Sequence, residues 1–269
     1  MGDTNNSKIK LFVIKIGGNV IDNEEQLDSF LKDFGLLNER KILVHGGGKI
    51  ASDLGNKLGI KSEYHEGRRI TDDDTIDLVT MVYGGLINKK IVALLQSSGS
   101  NAIGVTGADA NLIPAVKRPV RNIDYGWAGD INQRSISAEK WNFFLENSMV
   151  PVVAPLTHDF QGHMLNTNGD TIAAAISIAL SRSYEVNLIY CFEKNGVLEN
   201  VEDDTSVIKK IDGKSFARLK EDDKLHAGIL PKIQNALESV KAGVKKVVIG
   251  NSNRLNDLVS GDAGTAISD

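Results

Sequence analysis

The feature that most limits what this chain can become is a series of short, unbroken apolar runs separated by helix-like stretches. Leu11 to Ile16 is nearly continuous apolar sequence, and Ile42 to Val44, Val150 to Ala154, Asn187 to Tyr190 and Val247 to Ile249 repeat the type, with a further strand around Ala102 to Val105. Between them, Leu27, Phe30, Leu31 and Phe34 fall at helical spacing, and Ile50, Leu54 and Leu58 form a stripe. Longer helical stretches run from Asp73 to Ser97, Asp170 to Leu180 and Ile229 to Ala242. A strand covered on one face alternates apolar and polar residues; a strand covered on both does not. The pattern predicts an α/β fold with an open, mainly parallel central sheet sandwiched by helices. The segment from Val116 to Ser135, with its arginines, aromatics and Pro119, breaks the rhythm and reads as an irregular hairpin or lid.

At 269 residues, with 41% apolar and 25% charged side chains, the chain can form one large domain, or two lobes on a shared sheet, without metals or disulfides. The net charge of −4 and the absence of a dense Lys/Arg cluster argue against nucleic acid and for a small substrate. Cys191 is the single cysteine, which excludes a disulfide framework or thiolate zinc site and fits a reducing cytoplasm. Met1 to Ser7 is small and polar, unlike a signal peptide, and no run approaches the ~18 apolar residues of a membrane span.

Five segments can carry chemistry. In Lys15-Ile16-Gly17-Gly18 a lysine sits inside an apolar strand, which is costly unless its ammonium reaches water or an anion; the glycines would let backbone N–H groups approach phosphate. An edge lysine that snorkels to solvent is the alternative. His45-Gly46-Gly47-Gly48, between strand and helix, suits an anion but is neither a Walker A loop nor a G-x-G-x-x-G turn, and could be a tight turn only. Arg68 and Arg69 precede Asp72, Asp73 and Asp74; one could grip a carboxylate while the other pairs with the acidic run. Asn166-Thr167-Asn168-Gly169-Asp170 places more polar side chains before a helix than capping needs. In Gly228-Ile229-Leu230-Pro231-Lys232 a cation sits at a helix start, against the dipole, unless an anion shares the place. The five histidines show no metal-ligand spacing.

In this order, these segments resemble the amino acid kinase superfamily and, within it, the acetylglutamate kinases, from about Phe12 to Ile267. Gly264-Thr265 is similar to the near-terminal Gly-Thr of that family. The resemblance implies ATP-dependent phosphorylation of the γ-carboxylate of N-acetyl-L-glutamate, the second step of arginine biosynthesis. It implies Lys15 and Lys232 as catalytic cations and Asp170 as the group that orients them. It assigns Gly47, Gly48, Arg69 and Asn166 to the acceptor, and Gly17, Gly18, Glu193 and Gly196 to the nucleotide. Mg²⁺ would arrive with ATP and need few protein ligands. The assembly would be at least a homodimer, with residues 1–180 forming an acyl-glutamate-binding and dimerisation lobe and 181–269 a nucleotide lobe.

Two departures stand out. Where these kinases carry Thr-Asp or Ser-Asp, this chain reads Tyr190-Cys191-Phe192-Glu193-Lys194-Asn195-Gly196, with Glu193 nearest the aspartate. The short segment before the first strand leaves no room for the N-terminal helix of arginine-inhibited members, so no hexamer built through it and little arginine feedback are expected. Alternatives are an N-succinyl-L-glutamate kinase, whose extra carboxylate could meet the Lys117-Arg118-Pro119-Val120-Arg121 run, and a non-catalytic nucleotide or anion sensor on the same fold. Carbamate, uridylate, aspartate and glutamate 5-kinases fit less well.

Overall fold

The computed structural model describes residues 8–222, 225 and 229–268. Eight strands form one sheet: β1 Lys10–Ile16, β2 Arg40–Val44, β3 Ala102–Val105, β4 Val150–Val153, β5 Glu185–Phe192, β6 Lys210–Ile211, β7 Lys246–Asn251 and β8 Thr265–Ile267. Their order is β6-β8-β7-β5-β1-β2-β4-β3, and only the β7–β8 pairing is antiparallel. From β1 the chain passes to β2, crosses to the edge as β3, inserts β4 between β2 and β3, then returns to the other flank of β1 with β5 and continues to β7. In such sheets the crevice beyond the carboxyl ends of the strands, where the winding reverses, is where ligands bind.

The unbroken apolar runs are explained by period-two alternation between two cores. Leu11 and Val13 of β1 face one hydrophobic cluster, while Phe12, Ile14 and Ile16 face the other. Helices α1 Gly18–Asp22, α2 Glu24–Leu36, α3 Gly48–Leu58, α4 Asp73–Val79, α5 Asn88–Ser97 and, near the C-terminus, α10 Leu255–Ser260 pack on the second face. On the first face lie α6 Ala138–Glu146, α7 Gly169–Leu180, α8 Gly213–Glu221 and α9 Leu230–Lys241. Parity therefore places Lys15, with its register neighbours Val44 and Tyr190, on the face of α7 and α9.

Two expectations change in detail. The stripe Ile50, Leu54, Leu58 holds in part: Ile50 and Leu54 pack against the second core, but the buried positions of α3 are Ala51 and Gly55, and Leu58 is 57% exposed. The cause is close packing, since a Cβ on Gly55 would lie 2.7 Å from Leu78 Cδ2. The stretch from Asp73 to Ser97 is continuous, but Thr80–Ile87 forms a π-helix between α4 and α5. By length and composition these 25 residues could cross a bilayer, yet Leu78, Val79, Val82, Ile87, Ile91 and Leu95 are core side chains.

Antiparallel hairpins roof the carboxyl edge of the sheet. They pair Glu63–His65 with Arg68–Ile70, Ala115–Lys117 with Gly129–Ile131, and Leu156–His158 with Met164–Asn166. The irregular segment is tied down rather than loose. Thr71 N donates to Tyr125 O at 3.1 Å, Trp127 N to Thr71 O at 2.6 Å, and Trp127 Nε1 to Asp73 Oδ1 at 2.6 Å.

Candidate active site

Lys15 stands next to the end of β1, and its parity sends the side chain toward the start of α7. Gly169 lets the helix start approach this strand closely: a Cβ there would lie 3.2 Å from His45 O and in contact with Lys15 Cε at 3.4 Å. The sequence Asn166–Asp170 divides its labour. Asn168 caps α7, accepting from Asp170 N at 2.8 Å and Thr171 N at 3.1 Å. That frees the Asp170 carboxylate, in the first turn of the helix, to face the lysine.

Lys15 Nζ lies 2.7 Å from Asp170 Oδ1, an ion pair rather than an aligned hydrogen bond. Lys232 Nζ lies 3.3 Å from Asp170 Oδ2. Lys232 enters from the first turn of α9, which packs on α7. Its ammonium also sits 5.4 Å from the Tyr190 ring centroid and 5.5 Å from that of Phe192, within cation–π range. Burial alone would raise the Asp170 pKa; the two ammonium groups more than offset it and hold it down at about 2. Burial pushes the Lys232 pKa down, with Asp170 opposing. The two cations thus come from opposite ends of the chain and share one anion.

Two cavities flank this cluster. One, of about 240 Å³, is lined by Lys15, Gly46–Gly48, Arg69, Tyr83 and Asn166. The other, of about 210 Å³, is lined by Phe192, Gly196, Val197, Leu198, Ile229 and Lys232. Lys15 opens into the first and Lys232 into the second, with Asp170 holding both.

The remaining sequence candidates distribute as follows. Gly17 caps α1 and Gly18 begins it, and a Cβ on Gly46 would lie 3.6 Å from Gly18 N, so the two glycine turns touch without side chains between them. Gly47 has φ 141°, and a Cβ there would collide with Ile87 Cδ1 at 2.2 Å, so only glycine serves. Gly48 begins α3. Arg69 is buried and does not pair with the acidic run; it donates to Gly48 O at 2.7 Å, to Ser52 Oγ at 3.0 Å and to Ser62 Oγ, with Tyr64 against its face. Arg68 is exposed and lines the first cavity. Asn166 Nδ2 donates to Thr71 Oγ1 at 3.1 Å, and Thr71 Oγ1 donates to Arg69 O at 3.1 Å, joining the acceptor-side candidates.

Glu193 lies outside both cavity linings; its carboxylate accepts from Asn19 Nδ2 and its carbonyl from Asn251 Nδ2. Gly196 is required by packing, since a Cβ would lie 2.8 Å from Thr265 Oγ1, the acceptor for Val197 N. Gly228 lies outside the described residues. In the basic run, Lys117 stacks 3.9 Å from the Trp127 ring, and Arg118, whose Nε donates to both oxygens of Asp130, also lines the first cavity. Sequence reasoning missed Tyr64, Tyr83 and Thr71; each looked like an ordinary residue of a strand or helix. Among the described residues no group of three His, Cys, Asp or Glu could hold a metal ion.

A profile of the amino acid kinase family matches residues 10–251. The chain belongs to that family. Among its members, the acetylglutamate kinase of Cytophaga hutchinsonii is 50% identical over 252 residues, covering 93% of this chain and 95% of that one. The acetylglutamate kinase of Parabacteroides distasonis is 49% identical over 247 residues, covering 92% and 96%. Of solved structures, smu.665 from Streptococcus mutans superposes with a TM-score of 0.76 at 29% identity, covering 96% of this amino acid kinase and 98% of that chain.

Proposed function

We propose that this protein transfers the γ-phosphoryl group of ATP to the γ-carboxylate of N-acetyl-L-glutamate, the carboxyl-activating step of arginine biosynthesis. The observation that carries the reading is the pair of ammonium groups on one buried carboxylate, each opening into a different cavity. Relatives named acetylglutamate kinase, near half identical over almost the whole chain, supply the acceptor.

Phosphoryl transfer needs positioning and positive charge more than it needs a base. A γ-carboxylate is already ionised at neutral pH. One of its oxygens attacks the γ-phosphorus, the bond from that phosphorus to the β,γ-bridging oxygen breaks, and ADP leaves with that oxygen; no proton moves. Lys15 and Lys232 offset the charge on the migrating group, and Asp170 keeps both aimed. Arg69 and Asn166 hold the other end of the acceptor, with Gly47 and Gly48 amides beside the reacting end. The apolar cavity at Phe192, Val197, Leu198 and Ile229 takes the nucleotide base, with Gly17 and Gly18 near its phosphates. Glu193 acts there only through Asn19 and the end of β7.

Mg²⁺ would be carried by the nucleotide phosphates. The one central carboxylate, Asp170, is already taken up by two cations and offers no metal cage. The acceptor lobe is residues 1–180 and the nucleotide lobe 181–269, in keeping with cavity linings confined to residues 15–169 and 192–232. We read the protein as a cytoplasmic homodimer: Met81 and Leu86 are exposed on the helical stretch whose continuation, α5, packs on the edge strand β3, and the lone cysteine suits a reducing compartment.

A coupled assay of ADP release tests the proposal. Release that requires N-acetyl-L-glutamate supports it. Release that favours N-succinyl-L-glutamate would shift the acceptor, and nucleotide binding without acceptor-dependent release would leave a sensor.

A further inference from the structure

His45 is fully buried and lines neither of the two cavities, yet it precedes the turn that forms the floor of the acceptor cavity. Its two ring nitrogens have different partners. Nδ1 lies 2.8 Å from Gly46 O, so it carries the proton and donates. Nε2 then accepts from Asn88 Nδ2 at 3.2 Å. The same Asn88 amide donates to Val152 O at 2.9 Å, and Asn88 Oδ1 accepts from Lys89 Nζ at 3.2 Å. Every polar atom of this link has a partner, so one tautomer and one amide orientation satisfy it. Burial lowers the imidazole pKa to about 4, which keeps the ring neutral at working pH.

The surroundings show that room has been made for the link. A Cβ on Gly104 would lie 1.9 Å from Asn88 Oδ1. The π-helix Thr80–Ile87 ends immediately before Asn88, and its Tyr83 and Ile87 close over Gly47. Wide turns of this kind often mark functional positions in helices.

We propose that His45 and Asn88 are positioning residues for phosphoryl transfer, forming a buried hydrogen-bonded link that fixes the Gly46–Gly48 turn relative to the strand bearing Val152. The inference rests on reading that turn as the amide cradle beside the reacting carboxylate. Neither side chain touches substrate; the link acts through the backbone it holds, where a shift of about 1 Å can cost roughly 100-fold in rate.

The test uses the full chain with Asn88→Leu, which keeps the branched shape with bulkier ends but cannot hydrogen-bond, and with His45→Asn and His45→Ala. Asparagine keeps a donor near the Nδ1 position. Asn88→Leu is expected to lower kcat about 10- to 100-fold while KM for ATP stays within about 2-fold. His45→Asn should retain several-fold more kcat than His45→Ala, and amide ¹⁵N–¹H cross-peaks of Gly46, Gly47 and Gly48 should move in Asn88→Leu. Unmoved cross-peaks, or kcat losses that simply track melting temperature across all three variants, would overturn the proposal. If the parent protein shows no acceptor-dependent turnover, the kinase reading fails separately, and the cross-peaks and the His45 tautomer still decide whether the link exists.

Discussion

An ammonium taken from water into an apolar strand loses hydration worth several kcal/mol unless an opposite charge replaces it. Lys15 and Lys232 meet that requirement with the same carboxylate, whose anion they both favour against the cost of burial. Lys15→Ala and Lys232→Ala are each expected to lower kcat about 100- to 1,000-fold, the scale of removing one preorganised charge from a transition state. Arg69→Ala should instead raise the acceptor KM, and steady-state kinetics on the three variants check the division. His45 makes a separate expectation. Between its ordinary pKa of 6.5 and its buried value of about 4, the unfolded chain binds a proton that the native chain refuses. Stability should therefore be unaffected by His45 above about pH 6.5 and fall by at most roughly 3 kcal/mol as pH drops through this window. Urea denaturation across it should show a shallower fall in His45→Asn. Lys15 and Lys232 were legible in the sequence because each sits where its charge is out of place; Asp170 stood out only within a surplus of polar residues and Arg69 within an arginine pair, and their roles came from the family resemblance. Asn88 and Tyr83 were not, since a buried amide or phenol in a helical stretch has no local signature.

Among the elements, α7 shows how a short polar run is resolved by geometry. Sequence reading finds more polar residues before this helix than a cap needs, and Asn168 alone does the capping. Asn168→Ala is expected to cost about 1 kcal/mol of stability and to lower kcat several-fold by loosening the turn that carries Asp170. Thermal melts and kinetics measure both; an unchanged melting temperature would contradict the capping role. The sheet was legible because strands covered on both faces read as unbroken apolar runs. On α3 the pattern found Ile50 and Leu54, which pack on the core, but not the closest contact, because Gly55 is silent in a hydrophobic pattern. The π-turn was illegible for a related reason: Thr80–Ile87 is apolar and small enough to pass for ordinary helix.

At the scale of the whole molecule, the long-range pairing of short segments escapes sequence reading. Lys210–Ile211 and Thr265–Ile267 are only two and three residues long; the second becomes a strand by pairing with β7, and the first only by pairing with the second. Their role is nonetheless defined: Thr265 reaches from the sheet edge to fix the loop at Val197. Assembly is the property with least local signal. Sedimentation equilibrium should find a dimer, and Met81→Lys should shift it toward monomer; a monomeric parent would contradict the assembly read from the exposed helix face. The most direct measurement on the central claim is a crystal structure with ADP, aluminium fluoride and N-acetyl-L-glutamate bound. The expected result places Lys15 Nζ and Lys232 Nζ each within about 3 Å of the transferring group, on opposite sides and still held by Asp170. A fluoride group seated away from both ammoniums, with Asp170 facing empty solvent, would contradict the account.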